Sequence, residues 1–179
     1  MAAQGLGYLG QASSAPFLGR ALHDDNEEVR WWAATALITI PADAVATDLA
    51  SAATGDESSR VRRAAVRAMG WLKPGPVVTE AMIEVTHDSS AEVRRAAAVQ
   101  LGRIGDPAAL GALGGLFDDG DEDVRWAAVV AMGELRAPAA APLLAAVVTD
   151  VNPMVANAAE NALQKMGIAA RRYGTRDEE

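Results

Sequence analysis

Side chains that commonly carry out catalysis or bind metal ions are scarce in this chain of 179 residues, which has no cysteine and two histidines, His23 and His87. The lack of cysteine excludes a disulfide framework, a zinc–thiolate site and a thiol nucleophile. No serine stands in a G-x-S-x-G nucleophile elbow, and the chain has no G-x-x-x-x-G-K-S/T phosphate loop. We therefore expect no catalytic residue, no metal site and no bound cofactor, which favours a non-catalytic protein but leaves an enzyme open.

Aspartate and arginine recur at a fixed interval instead. A Val-Arg pair recurs at the same position in four units, a fifth valine, Val155, continues the series, and the successive valines of the series are 31 or 32 residues apart. An aspartate stands five residues before each of these valines. The arginines are Arg30, Arg62, Arg94 and Arg125, and the aspartates are Asp24, Asp56, Asp88, Asp119 and Asp150. A charge that recurs in every unit suits contacts between neighbouring units better than one unique site, so we expect a structural ladder that aligns the units.

Each unit must also supply the elements that hold these residues. In the fourth unit, apolar residues from Val124 to Leu135 follow the i, i+3, i+4, i+7 spacing of a helix with one buried face. The preceding half of each unit is typical of a second, more apolar helix, such as Ala108 to Phe117, where Pro107 is well placed for a first helical turn. We therefore predict that each unit is a hairpin of a helix A and a helix B. The hairpins are expected to stack into an all-α solenoid of about five repeats of 31–32 residues.

The sequence predicts a single domain over residues 1–170. Residues 1–11 match the tail of a helix B, so we expect a half repeat there and an uncapped N-terminal end through which the chain can self-associate. Residues 137–168 form a final unit in which the usual positions are replaced by Ala156, Asn157, Glu160, Asn161, Gln164 and Lys165, which is typical of a polar C-terminal capping repeat. Residues 171–179 form a charged tail.

The segments DSSAEVRRAAAVQLGRIGDPAAL and DEDVRWAAVVAMGEL resemble HEAT-like repeats of the short, phycobilisome-lyase type. The resemblance covers nearly the whole chain and implies a right-handed superhelix whose B helices line a concave groove. The family includes interaction scaffolds, chromophore-lyase subunits, an iron hydroxylase and DNA-repair glycosylases. The hydroxylase carries His-Glu pairs two and three residues after the valine. This chain has Trp31-Trp32, Arg63-Ala64, Arg95-Ala96, Trp126-Ala127 and Asn157-Ala158 at those positions, so the resemblance implies no iron site here.

Helix B carries residues that differ from unit to unit. Positions two, six and ten after the valine lie about one turn apart and form a stripe on the side of helix B away from the core. This stripe combines arginines with tryptophans, a pairing that suits anionic or planar ligands and is common at protein interfaces. The candidate groove residues are Trp31, Arg63, Arg67, Trp71, Arg95, Arg103 and Trp126. The alternative is an ordinary solvated surface on which acidic neighbours such as Glu92 and Glu134 neutralise the arginines.

The charge balance disfavours some classes of binding partner. With 16 basic and 24 acidic residues the net charge is −8, which disfavours a general binder of nucleic acids or anionic membranes. The longest apolar run, residues 137–148, is interrupted by two prolines and is too short to cross a bilayer. No secretory signal is evident at the start of the chain. We therefore expect a cytoplasmic protein that does not bind membranes.

These observations favour a scaffold that binds a protein or peptide partner, of acidic or aromatic character, in the groove. A tetrapyrrole-handling or other small-ligand-handling protein is the alternative that the lyase resemblance implies, with tryptophan and arginine holding a carboxylated aromatic ligand. A nucleic-acid binder that resembles the repair glycosylases is a weaker alternative, because the chain is acidic and few arginines cluster.

Overall fold

The structure is a computed structural model that describes residues 14–168, so the predicted half repeat at 1–11 and the tail at 171–179 lie outside the described residues. Within that range ten α-helices form five consecutive hairpins, and no β-strand is present. The A helices are α1 (Ala15–Ala21), α3 (Ala46–Gly55), α5 (Pro76–Val85), α7 (Leu110–Gly115) and α9 (Ala140–Ala146). The B helices are α2 (Glu27–Thr39), α4 (Ser59–Met69), α6 (Ala91–Ile104), α8 (Glu122–Leu135) and α10 (Pro153–Lys165).

The turn before each B helix is organised by the recurring aspartate. In all five units its carboxylate accepts a hydrogen bond from the backbone N–H two residues later, at 2.7–2.9 Å. That later residue is the N-cap of the B helix, and at α2 and α8 its own side chain caps the next turn. Asn26 accepts from the N–H of Glu28 at 2.9 Å, and Asp121 accepts from Val124 at 3.1 Å. The start of every B helix therefore follows directly from the Asp-x-cap spacing in the sequence.

Close contact between successive B helices holds the stack together. The large apolar residue eight positions after the valine is fully buried in every unit, as Leu37, Met69, Leu101, Met132 and Leu163. Glycine lets the B helices approach closely, because a Cβ added at Gly102 would lie 2.7 Å from the Cα of Ala131. A Cβ at Gly133 would lie 2.7 Å from the Cβ of Ala162. Each B helix contacts the next B helix along the chain as well as its own A helix. The predicted all-α solenoid of stacked hairpins is confirmed.

Two helices are shorter than the sequence pattern suggests. The predicted A helix over residues 108–117 is divided into a 3₁₀ turn at Pro107–Ala109, helix α7 and a second 3₁₀ turn at Leu116–Asp118. Three glycines within this stretch lower its helix propensity. Helix α4 ends at Met69, so Trp71 lies in the following turn rather than on helix B. The reason is Pro74, since a proline disfavours helical backbone at the residue before it and cannot continue a helix.

Candidate binding face of the B helices

The ladder residues meet across the boundary between units. A guanidinium group binds both carboxylate oxygens of the aspartate in the next unit, with N–O distances of 2.6–3.2 Å. The four pairs are Arg30–Asp56, Arg62–Asp88, Arg94–Asp119 and Arg125–Asp150. The third guanidinium nitrogen donates to the backbone carbonyl of the aspartate in its own unit, at 2.8–3.0 Å. At most 19% of either side chain in a pair is exposed, so all four pairs lie largely out of solvent.

The electrostatics of the ladder follow from this geometry. Hydrogen bonds from Arg94 and Arg125 are the main reason that the pKa of Asp119 and the pKa of Asp150 lie below the ordinary value of 3.8. Burial alone would raise the pKa of Asp88, but the hydrogen bonds from Arg62 and Ser90, with the nearby arginine charges, lower it below 3.8. The aspartate hydrogen bonds also raise the pKa of the four arginines, so their guanidinium groups stay charged at neutral pH.

The two ends of the ladder are different from its middle. Asp24 in the first unit is exposed, and no cation within residues 14–168 forms an ion pair with it. Ala156 replaces arginine in the fifth unit. The ladder therefore links the five hairpins to one another, and all three guanidinium nitrogens of each of its four arginines donate within it.

We call the exposed residues two, six and ten positions after each valine the B-helix face. At its N-terminal end, Trp31 is half-buried and is covered on one side by Arg60, whose guanidinium carbon lies 3.7 Å from the ring centroid. Its other neighbour is Trp32, at 4.5 Å between centroids in an edge-to-face arrangement. Arg60 also forms an ion pair with Glu28. Much of the Trp31 ring is thus in contact with side chains of the protein itself, which leaves less of it for a ligand.

Trp71 and Arg103 come from neighbouring units but form one stacked pair. The guanidinium carbon of Arg103 lies 3.3 Å from the ring centroid of Trp71, which is 52% exposed. A cation over an aromatic face at this distance is favourable, so each side chain orders the other. The structure therefore brings together two of the predicted groove residues, although one of them lies beyond the end of its helix.

A basic depression of about 540 Å³ lies between α4, α6 and the start of α8. Arg63, Arg67 and Arg95 line it. Arg63 forms an ion pair with Glu92 across the unit boundary, whereas no carboxylate within residues 14–168 forms an ion pair with Arg67 or Arg95. Arg67 and Arg95 therefore keep guanidinium donors for a ligand, whereas Arg103, farther along the face, forms no ion pair within residues 14–168 but is stacked on Trp71.

An apolar depression of about 570 Å³ follows between α8 and α10. Trp126, Val130 and Met154 line it, together with the polar residues Asn157 and Asn161. Met154 is 67% exposed, although methionine is an apolar residue. Trp126 is half-buried and also lines the shallower space between α6 and α8 that leads toward the basic depression. The predicted stripe is therefore divided into a basic part and an apolar part.

Several residues that line these depressions were not among the sequence candidates, and three of them stand out. Val99 is 45% exposed beside the arginines, Met154 lines the apolar depression, and Gln100 contributes to the floor of the basic one. The sequence does carry a signal for Gln100, because the other four units have alanine seven residues after the valine. A comparison restricted to positions two, six and ten could not find it.

The structure assembles no catalytic or metal centre from the described residues. His23 is exposed and its Nε2 lies 3.1 Å from Oδ1 of Asp48, and His87 is exposed in the equivalent turn two units later. No group of three or more potential metal ligands occurs among residues 14–168. Over the same range, no helix has the length and apolar character needed to cross a membrane.

Solved structures with a similar fold include natural enzymes and designed binders. One is the complex of CpcE and CpcF of phycocyanin lyase from Nostoc, with a TM-score of 0.73 and 24% identity over 85% of this chain and 64% of that chain. Human deoxyhypusine hydroxylase matches with a TM-score of 0.60 and 23% identity over 92% of this chain and 77% of that one. A designed armadillo repeat protein in complex with a (KR)4 peptide matches with a TM-score of 0.63 and 22% identity, covering 83% and 80%. The chain spans less than two thirds of the lyase chain, and these likenesses establish the fold alone.

The sequence comparison agrees with the fold. No curated protein is a significant sequence match to this chain. The model of HEAT repeats matches residues 1–70, 41–100 and 79–164, which together extend over most of the chain. The recurring units, the stacked hairpins and this match lead to one conclusion: the chain belongs to the HEAT repeat family.

Proposed function

We propose that the protein is a non-catalytic scaffold that binds a segment of a partner protein along the B-helix face, and the family resemblance implies that this face lines a concave groove. One observation carries the proposal: Arg67 and Arg95 border an open depression and form no ion pair with any of residues 14–168, whereas the four ladder arginines are all engaged. Exposed arginine next to exposed apolar surface is the composition that protein interfaces favour. Val99, 45% exposed beside the two arginines, supplies that apolar surface.

The dimensions of the face suit an extended segment. Trp31 on α2 and Trp126 on α8 are three units apart, or roughly 30 Å if stacked helices are ~10 Å apart. An extended chain covers that length with about nine residues. A peptide of this size would contact the basic depression near its middle. Because the guanidinium groups of Arg67 and Arg95 line that depression, the partner segment should carry acidic side chains.

A direct test uses two labelled nine-residue peptides of opposite charge, one alternating glutamate with leucine and the other alternating lysine with leucine. Fluorescence anisotropy should show binding of the glutamate peptide and no binding of the lysine peptide. The double variant Arg67→Glu/Arg95→Glu should abolish binding. The variant Arg20→Glu/Lys73→Glu changes net charge equally but lies outside both depressions, and it should bind as the wild type does. Equal binding by both variants, or no binding by the wild type, would refute the proposal.

A carboxylated planar ligand, such as a tetrapyrrole, is a second candidate. The observation that favours it is the position of Trp126 beside the space that leads to Arg67 and Arg95, since arginine can bind carboxylates while tryptophan stacks on a ring. Titration with haem or biliverdin would then quench tryptophan fluorescence in a saturable manner, and the Arg67→Glu/Arg95→Glu variant would lose that quenching. Quenching that is weak, linear and equal in the variant would count against this candidate.

A further inference from the structure

We infer that the B-helix face recognises its partner at two points, a carboxylate at one end and an apolar side chain about six residues away at the other. This inference rests on the proposed function and specifies the class of segment that would bind. Its basic end comprises Arg67, Arg95 and Gln100, and its apolar end comprises Trp126, Val130 and Met154.

Gln100 gives the basic end a feature that an ordinary charged surface lacks. Its Oε1 is buried and has no hydrogen-bond partner among the described residues. A buried unpartnered polar atom costs about 1–3 kcal/mol, and alanine occupies this position in the other four units. The Oε1 is packed against Gly70 and takes no part in binding, so we assign only the Nε2 donor of the amide to the ligand. An amide N–H beside two guanidinium groups offers donors, which a carboxylate accepts.

The acidic residues around this depression are already engaged or peripheral. Glu92 forms its ion pair with Arg63, and the side chain of Asp121 accepts two backbone hydrogen bonds at the start of α8, at 3.0 and 3.1 Å. Asp123 is exposed in the first turn of α8, where the helix dipole favours a negative charge. None of them forms an ion pair with Arg67 or Arg95. The attraction for an incoming carboxylate is therefore centred on those two residues.

The apolar end departs from the repeat pattern in the same way. The residue directly before the valine is charged in the first four units, as Glu28, Arg60, Glu92 and Asp123. In the fifth unit it is Met154, which is 67% exposed and lines the depression with Trp126 and Val130. Methionine is flexible and polarizable, so it adapts to varied apolar side chains. Asn157 and Asn161 border the same depression and can exchange hydrogen bonds with a peptide backbone.

The distance between the two ends sets the spacing in the ligand. Helix α6, which carries Arg95 and Gln100, and helix α10, which carries Met154, are two units apart, or about 20 Å at ~10 Å per unit. An extended strand rises ~3.3 Å per residue, so about six residues separate the carboxylate from the apolar side chain. A segment with both groups at this spacing can contact both depressions at once, whereas a segment with adjacent groups cannot.

The experiment uses labelled ten-residue peptides of glycine and serine with a pair of glutamates near one end and a leucine six residues away. Three matched peptides serve as controls. In the first the leucine is next to the glutamates, in the second glutamine replaces the glutamates, and in the third the order of the residues is reversed. Anisotropy titrations against the full chain should show at least roughly tenfold weaker binding for the first two changes. One of the two chain directions should bind better than the other, because the basic and apolar ends are not equivalent.

Protein variants test each end separately. Gln100→Ala and Met154→Glu should each weaken the correctly spaced peptide about tenfold. Val151→Glu, three residues from Met154 and outside the apolar depression, introduces the same charge and should leave binding unchanged. Thermal unfolding of each variant confirms that it is folded. A glutamate peptide could bind through Arg67 and Arg95 with an affinity that depends neither on the leucine spacing nor on Met154→Glu. In that case the two-point inference fails and the proposed function stands. If no peptide binds, both fail.

Discussion

Arg94 donates two hydrogen bonds to the carboxylate of Asp119, from Nε at 2.7 Å and from Nη2 at 2.8 Å, while its Nη1 donates to the backbone carbonyl of Asp88 at 2.8 Å. One guanidinium group thus joins the turn of its own unit to the turn of the next. Asp119 in turn accepts the N–H of Asp121, the N-cap of α8. The start of one helix is therefore coupled to the register of the neighbouring hairpin, and the same coupling recurs at four unit boundaries.

Arg94→Gln should destabilise the protein strongly. The substitution removes the charge that compensates the buried carboxylate of Asp119, and breaking one side of a buried ion pair costs about 3–5 kcal/mol. Urea unfolding followed by circular dichroism measures the free energy of unfolding. Arg95→Gln is the matched control, because Arg95 directly follows Arg94 in the chain but is exposed and forms no ion pair within the described residues. That control should change the free energy of unfolding by less than about 0.5 kcal/mol.

A double-mutant cycle makes this prediction more specific. The double variant Arg94→Gln/Asp119→Asn should be less destabilised than the sum of its two single variants, because no buried charge is left unpaired. Strict additivity would mean that the two residues act independently, and the ladder would then have no role in aligning units.

The ladder should also make stability depend on pH at the acidic end. The pKa of Asp88, of Asp119 and of Asp150 lies below 3.8 in the folded protein. A group with a lowered folded pKa contributes stability above its unfolded pKa and loses it as the pH falls through the folded value. The melting temperature should therefore fall steeply below about pH 4, the range in which unfolded aspartates titrate. Arg94→Gln should make this fall shallower, and an unchanged slope would contradict the assignment.

Gly102→Ala should destabilise the stack because its Cβ would lie 2.7 Å from the backbone Cα of Ala131. The two B helices must then move apart, and we expect a loss of about 1–3 kcal/mol. Gly111→Ala is the control, since no atom lies within 4 Å of its added Cβ and alanine is the better helix former. It should raise the free energy of unfolding by about 0.5–1 kcal/mol. A stabilising Gly102→Ala would show that the helices are farther apart than the structure indicates.

The sequence was sufficient to predict the elements that repeat. The spacing of Asp24 and its four counterparts, followed by a valine and a buried residue such as Leu101, defines hairpins because helix periodicity and capping are local properties. Local interruptions were harder to predict. The division of the A helix around α7 depends on three glycines, and the early end of α4 depends on Pro74, and neither breaks the repeat pattern itself.

The sequence predicts where the side chains of the B-helix face lie, but not which residues they interact with. Trp31, Arg63 and Arg67 lie on the predicted stripe, yet only the structure shows that Arg60 covers Trp31 and that Glu92 pairs with Arg63 while Arg67 forms no ion pair within residues 14–168. Such partnerships depend on the stagger between adjacent hairpins, which a single sequence does not specify. Gln100 and Met154 were missed for another reason, because they stand outside the three positions that the stripe compares.

Gln100→Ala should raise the free energy of unfolding by about 1 kcal/mol, because it removes the buried unpartnered Oε1 and introduces the residue found in the other four units. A second substitution tests the local geometry. A Cβ on Gly70 would lie 1.9 Å from that Oε1, so Gly70→Ala should force the flexible Gln100 side chain into another rotamer, and it should destabilise the wild type more than the Gln100→Ala background. Urea unfolding of the four proteins in this cycle gives the coupling energy, which should be about 0.5 kcal/mol or more for groups in direct contact. A Gln100→Ala variant that is less stable than the wild type would show that the amide serves the fold, and its assignment to the ligand would then lose its support.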